Sequence, residues 1–301
     1  MLSVLIPIYN FDVKRLVTTL DQQLTQAGIS YEIIMADDCS EEVFRQKNAE
    51  VAHGDNIQYI QNETNMGRAK IRNHLAEIAQ YPYLLFIDCD AAIQQEDYIK
   101  RYIDAIETMH QQSLFVINGG VAYQNEKPDN QYILRWTFGK QREEESAEKR
   151  ALKPYHHFTP FNVVITKSLF QQLKFDETLT TYGHEDTLLG CQLKEQNIPY
   201  LHINNALIHK GLDTNTEFLH KIRTSIDNLI LLSDNQKDNK LLFKDNRLLK
   251  TYQRCRKLGM LPLLKCIWQN NQMTMEKKLT HKPSIFLLDL YKLSYIAYKK
   301  A

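Results

Sequence analysis

The stretch Tyr83-Leu-Leu-Phe-Ile-Asp-Cys-Asp90 is a run of five β-forming residues that leads directly into two carboxylates. A short apolar run bounded by polar residues is typical of a buried strand in a sheet. The same pattern occurs upstream, where Tyr31–Ala36 is followed at once by Asp37 and Asp38. Ligands of open parallel sheets bind beyond the carboxyl ends of the strands. We therefore expect these two acidic pairs to converge at one edge of a sheet.

The first 120 residues alternate short apolar runs with amphipathic stretches. This alternation predicts an α/β fold with a mostly parallel central sheet and helices on both faces. The stretch Val13–Ala27, for example, repeats apolar residues at helical spacing, and Gly28 follows as a stop signal. The predicted strands are Leu2–Ile8, Tyr31–Ala36, Asn56–Ile60, Tyr83–Ile87, Leu114–Ile117, Phe161–Ile165 and Ala206–Ile208. The predicted helices include Val13–Ala27, Arg68–Gln80, Lys167–Leu173 and Glu185–Gln196.

Charge is distributed unevenly along the chain. The 301 residues carry 37 Lys+Arg and 36 Asp+Glu, and a hydrophobic content of 43% excludes a disordered protein. Residues 240–301, however, hold 14 Lys/Arg and 3 Asp/Glu, a balance of +11, which leaves −10 for the other residues. We therefore predict two parts: a catalytic domain over residues 1–212 and a basic helical C-terminal extension over residues 213–301.

Cysteine usage and hydropathy bear on location. The five cysteines are odd in number and include no C-x-x-C pair, so neither a disulfide framework nor a zinc site is expected. Free thiols favour a reducing compartment. The N-terminal apolar run is too short for a signal peptide, and we find no uninterrupted apolar stretch of about 18 residues. We expect a cytoplasmic location without a transmembrane helix.

A third acidic pair, Glu185-Asp186, opens a predicted helix after Gly183 and His184. Each acidic pair has two interpretations. Acidic residues commonly cap helices or complement the helix dipole. Clustered carboxylates also repel one another unless a cation joins them, and Mg²⁺ or Mn²⁺ with phosphate ligands is the simplest such partner.

The segment Asn65–Asn73 offers a complementary positive charge. Gly67 permits a tight approach before the helix, and Arg68 and Arg72 share one helical face because they are four residues apart. This is either a diphosphate site at a helix N-terminus or a solvated basic face. Neither G-x-G-x-x-G nor a P-loop motif occurs, so dinucleotide-binding and P-loop proteins lose their main support.

These motifs, taken together and in this order, resemble those of family 2 glycosyltransferases over roughly residues 1–212. Such enzymes have a Rossmann-like nucleotide-sugar-binding fold, the glycosyltransferase A type. The matching pieces are Pro7-Ile8-Tyr9-Asn10, Asp37-Asp38-Cys39-Ser40, Asn65-x-Gly67-x-Ala69-x-x-Arg72-Asn73, Asp88-Cys89-Asp90, Gly183-His184-Glu185-Asp186 and His209.

The resemblance implies a role for each matching residue. Substrate-binding roles fall to Pro7, Tyr9, Asn10, Asp37, Asp38, Asn65, Gly67, Arg72, Asp88, Gly183 and His184, with Asp37 on the base, usually uracil, and Arg72 near the diphosphate. Metal binding falls to Asp88, Asp90 and His209. The alternative interpretation of His209 is a buried strand histidine that is hydrogen-bonded to the backbone. The general base is Asp186, with Glu185 as the other candidate.

The implied reaction is inverting transfer of one hexosyl or N-acetylhexosaminyl unit. The donor is a nucleotide sugar, with UDP as the expected carrier, and Mn²⁺ or Mg²⁺ is the expected cofactor. The acceptor is a hydroxyl of a saccharide or lipid-linked molecule in polysaccharide or glycolipid biosynthesis. A carboxylate base suits the deprotonation of such a hydroxyl, and a cation stabilises the leaving diphosphate.

Two other functions remain open. A non-catalytic sugar-nucleotide-binding or scaffold protein would have lost metal or base residues, whereas Asp88, Asp90 and Asp186 are present. A nucleotidyltransferase would carry a glycine-rich loop after the first strand, whereas residues 9–12 contain no glycine. Trp136, in a sequence that resembles the Q-x-x-R-W signature of processive synthases, either stacks on an acceptor sugar or belongs to a core.

The basic extension has three open interpretations. Its interleaved basic, aromatic and apolar residues allow contact with an anionic membrane surface, on the inner face of the cell membrane. Alternatively, its helices pack on the catalytic domain with a solvated basic face, or they form an oligomer interface. Nucleic-acid binding has no recognition motif in its favour. The mixed-charge run Lys140–Lys153 is either a solvated helix or loop, or a segment that orders over substrate.

Overall fold

The computed structural model describes residues 1–52, 54–178, 183–234 and 246–300. The strands are β1 Leu2–Ile8, β2 Tyr31–Asp37, β3 Ile57–Gln61, β4 Tyr83–Ile87, β5 Ala91–Ala92, β6 Val116–Asn118, β7 Val121–Ala122, β8 Asn162–Thr166, β9 Tyr200–His202 and β10 Leu207–His209. The helices are α1 Lys14–Ala27, α2 Glu42–Ala49, α3 Arg68–Ile78, α4 Tyr98–Thr108, α5 Ile133–Arg142, α6 Ala147–Ala151, α7 Lys167–Gln172, α8 Glu185–Glu195, α9 Asn215–Asp234, α10 Arg247–Lys257, α11 Leu261–His281 and α12 Ile285–Lys299.

A seven-stranded sheet in the order β3-β2-β1-β4-β8-β6-β9 forms the centre of the fold. Strands β3, β2, β1 and β4 are parallel neighbours, β8 runs antiparallel to β4 and β6, and β9 is parallel to β6. Strands β5, β10 and β7 form a smaller sheet. The predicted α/β class with a mostly parallel central sheet is confirmed.

Helices cover both faces of this sheet because its strands are apolar on both sides. In β1, Val4, Ile6 and Ile8 belong to one buried cluster with residues of α1 and α4. Leu5 faces the opposite cluster, which includes residues of α3, α7 and α8. Because side chains on both faces are buried, β1 is hydrophobic at almost every position, with Ser3 as the polar exception.

The sequence predicted the bounds of the long helices and strands more accurately than those of the short ones. Helix α1 ends as predicted at Gly28, whose φ of 64° lies in the left-handed region that suits glycine. Strand β6 begins two residues later than predicted. Strands β5, β7 and β9 were not predicted, because two or three residues cannot display a hydrophobic period.

The described chain separates into two compact units. The first comprises Met1–Ala122, Glu144–Thr180 and Glu185–Gly211, and the second comprises Tyr123–Glu143, Thr181–His184 and Leu212–Ala301. This grouping differs from the predicted division at residue 212, since 123–143 and 183–184 group with the C-terminal helices. The division into a catalytic domain and an extension by function stays a prediction.

The second unit contains α5 and α9 to α12. Its core includes Trp268 of α11, whose ring lies 4.9 Å from that of Tyr291 and 4.7 Å from that of Tyr295 in α12. Trp136 is only partly buried, and its Nε1–H donates to the carbonyl oxygen of Gln124 at 2.8 Å. Among the described residues, no helix has both the length and the apolar character needed to cross a membrane.

Candidate active site

Asp37 and Asp38 lie where β2 ends, and hydrogen bonds within the protein hold both side chains. Asp37 is fully buried. One of its carboxylate oxygens accepts the backbone N–H of Ser40 at 2.7 Å, and the other accepts the Tyr59 hydroxyl at 3.1 Å. A carboxylate has about four lone-pair positions, so Asp37 retains capacity for a further donor.

Asp38 connects β2 to the loop before α3. Its carboxylate accepts the N–H groups of Met66 at 2.5 Å and Gly67 at 3.0 Å, and its carbonyl oxygen accepts the Asn65 amide at 3.0 Å. Burial raises the pKa of Asp38, and the two backbone donors partly offset that effect. Gly67 has a φ of 82°, which glycine adopts without strain. Asp38 therefore positions the N-terminus of α3.

The segment after β1 is fixed next to the segment after β2. The Asn10 N–H donates to the Ser40 hydroxyl oxygen at 2.9 Å, while the Asn10 side-chain oxygen accepts the N–H of Glu41 at 2.8 Å. Pro7 lies within β1 opposite Ala36 of β2. Tyr9 remains 56% exposed, so its ring is available to stack on a planar ligand.

Arginines of α3 bind the carboxylates that follow β4 and open α8. Arg72 is 3% exposed and its Nη2 lies 2.5 Å from an Asp88 oxygen. Arg68 donates from Nε to Glu185 at 2.9 Å and lies 3.9 Å from the other oxygen of Asp88. Burial alone would raise the pKa of Asp88 and of Glu185, but Arg72 and Arg68 hold both pKa values below the usual range.

Asp186 has the opposite electrostatic environment. Burial, and then the neighbouring negative charge of Glu185, raise its pKa to about 6. Its carboxylate accepts the N–H of Thr187 at 2.6 Å and the Thr187 hydroxyl at 3.2 Å. Two adjacent carboxyl groups with pKa values displaced in opposite directions are typical of an acid–base site.

Asp90 and His209 form the pair best placed to hold a cation. Asp90 Oδ2 lies 3.3 Å from His209 Nε2, and the N–H of Lys210 donates to the Asp90 carbonyl oxygen at 2.8 Å. In the described part of the chain, no group of three or more His, Cys, Asp or Glu residues is arranged as a complete metal site. One carboxylate and one imidazole still fit a divalent ion whose remaining ligands are phosphate oxygens and water.

The two predicted carboxylate ligands have different partners. Asp88 is bound by Arg72, whereas Asp90 is beside His209. Gly211 was not predicted as a site residue, yet a Cβ there would lie 2.7 Å from the Cβ of Asp90. No sequence signal marked this glycine, because its importance arises from the pairing of β10 with β5.

Gly183 and His184, also predicted to bind substrate, belong to the second unit together with Ser225 and Asn228 of α9. His184 Nε2 lies 3.1 Å from the Ser225 hydroxyl, and the Asn228 amide donates to the Gly183 carbonyl oxygen at 3.3 Å. Gly183 has a φ of 106°, and a Cβ at this position would lie 2.8 Å from Ser225 Oγ. Glycine is required here for both reasons.

The sequence also resembles known proteins. The model of the family described as glycosyl transferase family 2 matches residues 3–173. Chondroitin synthase of Escherichia coli is 26% identical over 239 residues, which are 69% of this chain and 34% of that protein. The amylovoran biosynthesis glycosyltransferase AmsB of Erwinia amylovora is 25% identical over 226 residues, 73% of this chain and 72% of that protein.

A third relative matches a shorter segment. An uncharacterized glycosyltransferase of Haemophilus influenzae is 36% identical over 98 residues, 32% of this chain and 31% of that protein. The chain thus spans about a third of the length of two of these relatives, chondroitin synthase and the H. influenzae protein.

Solved structures share the fold at low sequence identity. S. aureus TarS 1-349 superposes with a TM-score of 0.52 at 19% identity, covering 99% of this chain and 91% of that one. TarS 1-349 has also been solved in complex with UDP-GlcNAc. The mannosyltransferase PcManGT from Pyrobaculum calidifontis, in complex with GDP-Man and Mn²⁺, gives a TM-score of 0.57 at 13% identity over 99% of this chain and 86% of that one.

Proposed function

Because the chain belongs to glycosyltransferase family 2, we propose that it transfers one sugar from a nucleotide sugar to a hydroxyl group with inversion of configuration. The observation that carries this proposal is the environment of Asp186. Its carboxyl group has a pKa of about 6, beside a Glu185 that Arg68 keeps ionised. Such a carboxylate can accept a proton near neutral pH.

The segments after β1 and β2 supply the donor site in this proposal. Tyr9 stacks on the base, while Asn10 and Pro7 shape the wall. Asp37 is fully buried, so a hydrogen bond from the base to its carboxylate requires the segment after β2 to move. UDP is the proposed carrier, supported by the UDP-GlcNAc complex of the structural relative TarS. PcManGT holds GDP-Man instead. A panel of nucleotide sugars therefore tests directly which nucleotide carries the donor sugar.

The start of α3 binds the diphosphate in this proposal. The loop Asn65–Gly67 is held by Asp38, and unpaired N–H groups at a helix N-terminus attract anions. Arg68 is 46% exposed at its side chain, so it can reach a phosphate oxygen, whereas Arg72 is buried against Asp88. Arg72 thereby orients Asp88 toward the ribose or sugar.

Asp90 and His209 would hold the divalent ion, Mn²⁺ or Mg²⁺. Support comes from their 3.3 Å separation and from the Mn²⁺ in the structural relative PcManGT. When bound, such an ion neutralises negative charge on a leaving diphosphate. Gly211 keeps the space beside Asp90 open, and the Lys210 N–H fixes the Asp90 backbone.

Asp186 accepts the proton of the acceptor hydroxyl as that oxygen attacks the anomeric carbon. A single displacement with one base and no protein nucleophile inverts the anomeric centre, so an α-linked donor gives a β-linked product. The proposed acceptor is a saccharide or lipid-linked molecule in polysaccharide or glycolipid biosynthesis. The named functions of chondroitin synthase and AmsB support this setting.

The experiment is a panel of nucleotide sugars, tested with Mn²⁺ or Mg²⁺ for nucleotide release. Asp186→Asn should lower turnover by about 10²–10⁴, the usual cost of losing a general base. Donor affinity, measured by calorimetry, should stay within a few-fold of the native value. Asp97→Asn is the matched control, because Asp97 lies on the surface directly before α4 and forms a local ion pair with Arg101.

Two results would contradict the proposal. Donor binding without turnover of any nucleotide sugar in the presence of a saccharide panel would favour a non-catalytic binding protein. Native turnover by Asp186→Asn would remove Asp186 as the base, and Glu185→Gln would then be the next variant.

A further inference from the structure

Helix α11 presents one buried and one exposed face. Leu264, Trp268, Met275 and Leu279 recur at helical spacing and are buried. The opposite stripe is exposed, and Met273 on this stripe is 83% accessible. A helix that is anchored by one face and open to solvent on the other can offer the open face to another molecule.

Positive charge dominates the surface of the C-terminal helices. Residues 246–300 contain 12 Lys/Arg and only two acidic residues, Glu276 and Asp289. Both acids are engaged in ion pairs within the second unit, Glu276 with Arg223 at 2.7 Å and Asp289 with Arg142 at 2.7 Å. They are therefore already neutralised by arginines outside this segment and do little to offset the exposed lysines.

A groove of about 890 Å³ concentrates this charge between the second half of α11 and the start of α12. We call it the basic groove. Its lining consists of Met273, Thr274, Lys277, Lys278, His281, Lys282 and Leu287. The lysines are exposed, and Phe286, next to Leu287, is 81% accessible. Cationic and large apolar side chains thus meet solvent side by side.

We propose that the basic groove is a docking surface for an anionic lipid bilayer. Lys277, Lys278 and Lys282 bind headgroup phosphates, while Met273 and Phe286 enter the boundary between headgroups and acyl chains. Anionic bilayers attract clusters of lysine, and exposed apolar side chains gain free energy when they leave water at that boundary. The helices contact only the surface of the bilayer.

The apolar side chains favour a bilayer over a nucleic acid. Lysines bind either polyanion, because both display phosphate groups. Met273 and Leu287, however, would remain in water against a sugar–phosphate backbone, whereas a bilayer buries them. Sequence-tolerant binding of single strands also uses several stacked aromatic rings, and the groove has only Phe286 beside it.

The proposal is independent of the transferase reaction, since it depends only on residues of the second unit. Its test is co-sedimentation of the full chain with vesicles. Phosphatidylcholine vesicles are compared with vesicles that also contain phosphatidylglycerol, each at low and at high salt. The test variant is Lys277→Glu/Lys278→Glu/Lys282→Glu. The control is Lys149→Glu/Lys153→Glu/Lys174→Glu, which reverses three exposed lysines of the first unit.

The native chain should bind only the vesicles with phosphatidylglycerol, and salt should weaken the binding. The groove variant should lose on the order of 100-fold in partitioning, from about fivefold for each lysine near the surface. The control should stay within a few-fold of native. Phe286→Ser should weaken binding several-fold, and that deficit should persist at high salt because apolar burial is not screened.

Thermal melts of each variant show whether it is folded, and Phe286→Ser tests the groove without any change in charge. Equal loss in the groove variant and the control would overturn the proposal, because it would indicate binding by net charge alone. Equal binding to both vesicle types would also overturn it. The proposal would also be overturned if the protein bound a labelled DNA or RNA strand through the basic groove but bound neither type of vesicle.

Discussion

Arg68 Nε lies 2.9 Å from a carboxylate oxygen of Glu185, and this ion pair joins the first turn of α3 to the first turn of α8. It keeps Glu185 ionised although that side chain is only 7% exposed. The next residue, Asp186, then lies beside a fixed negative charge, which together with burial raises its pKa to about 6. Two carboxyl groups adjacent in sequence thus acquire different properties.

We expect the pH dependence of kcat/KM to follow the ionisation of Asp186. A base must be deprotonated, so activity should rise tenfold per pH unit below about 6 and level off above it. Glu185→Gln removes the neighbouring charge and should move this midpoint to lower pH. The measurement is the pH profile of nucleotide release for both proteins.

The Glu185→Gln profile also separates the two candidate bases. Retained activity at high pH with a shifted midpoint supports Asp186. Loss of activity at every pH would make Glu185 the base. A midpoint identical to native would contradict the influence of Glu185 on Asp186.

Asp186→Asn should stabilise the protein near neutral pH. The raised pKa means that the folded state resists ionisation of Asp186, so stability falls as pH rises from 3.8 through about 6. The cost is at most about 3 kcal/mol, and partial exposure reduces it to about 1–2 kcal/mol. The asparagine variant avoids this cost and should melt about 2–8 °C higher at pH 8.

The gain should shrink as pH approaches 4, where the native carboxyl group is protonated in the folded state. Asp97→Asn provides the control, because Asp97 loses an ion pair with Arg101 and has no such cost to relieve. A variant that melts lower than native at pH 8 would show that ionised Asp186 stabilises the fold.

Strands β1, β2 and β4 of the central sheet could be predicted from the sequence because their signals are local. These strands are mostly apolar, with Ser3 in β1 and Glu32 in β2 as exceptions. Asp37 ends β2, and Asp88 follows β4 directly. Parallel pairing brings strand ends to one edge, so β1 and β2 align Ile8 with Asp37. Adjacency of these motifs followed from topology alone.

Other features depend on contacts between distant residues and gave no local signal. Arg150 lies in a mixed-charge run that looks solvated, yet it is 3% exposed and donates to the carbonyl oxygens of Asn118, Gly119 and Ile203. The pairing of Arg68 with Glu185 spans 117 residues. The local sequence around Arg150 and around Arg68 would show the same pattern if these arginines faced water.

Gly211→Ala should weaken metal-dependent binding of the donor. The added Cβ would lie 2.7 Å from the Cβ and 2.9 Å from the Cγ of Asp90, so the carboxylate must move. Asp90 cannot yield easily, because its carbonyl oxygen is fixed by the Lys210 N–H. Displacement of a supporting position typically costs about 10–100-fold in metal affinity. Calorimetry with Mn²⁺ and a UDP sugar measures the change.

Gly28→Ala is the control for general destabilisation. It places its methyl group in open space but at a φ of 64°, so it should lower the melting temperature without changing the response to Mn²⁺. If Gly211→Ala matched Gly28→Ala in both measurements, the proposed role of Gly211 beside the metal would be wrong.

Asp90→Asn and Asp88→Asn should separate the two carboxylates that the sequence assigned to the metal. Asp90 lies 3.3 Å from His209, whereas Asp88 lies 2.5 Å from the buried Arg72. A carboxylate already neutralised by a buried arginine gains little from a cation. Asp90→Asn should therefore abolish the difference in UDP-sugar affinity between Mn²⁺ and EDTA, whereas Asp88→Asn should preserve it.

Asp88→Asn should instead lower the melting temperature, because Arg72 would remain buried without its carboxylate. Equal donor affinity of the native protein with Mn²⁺ and with EDTA would refute the metal site itself, and loss of the metal response in Asp88→Asn alone would assign the ion to Asp88.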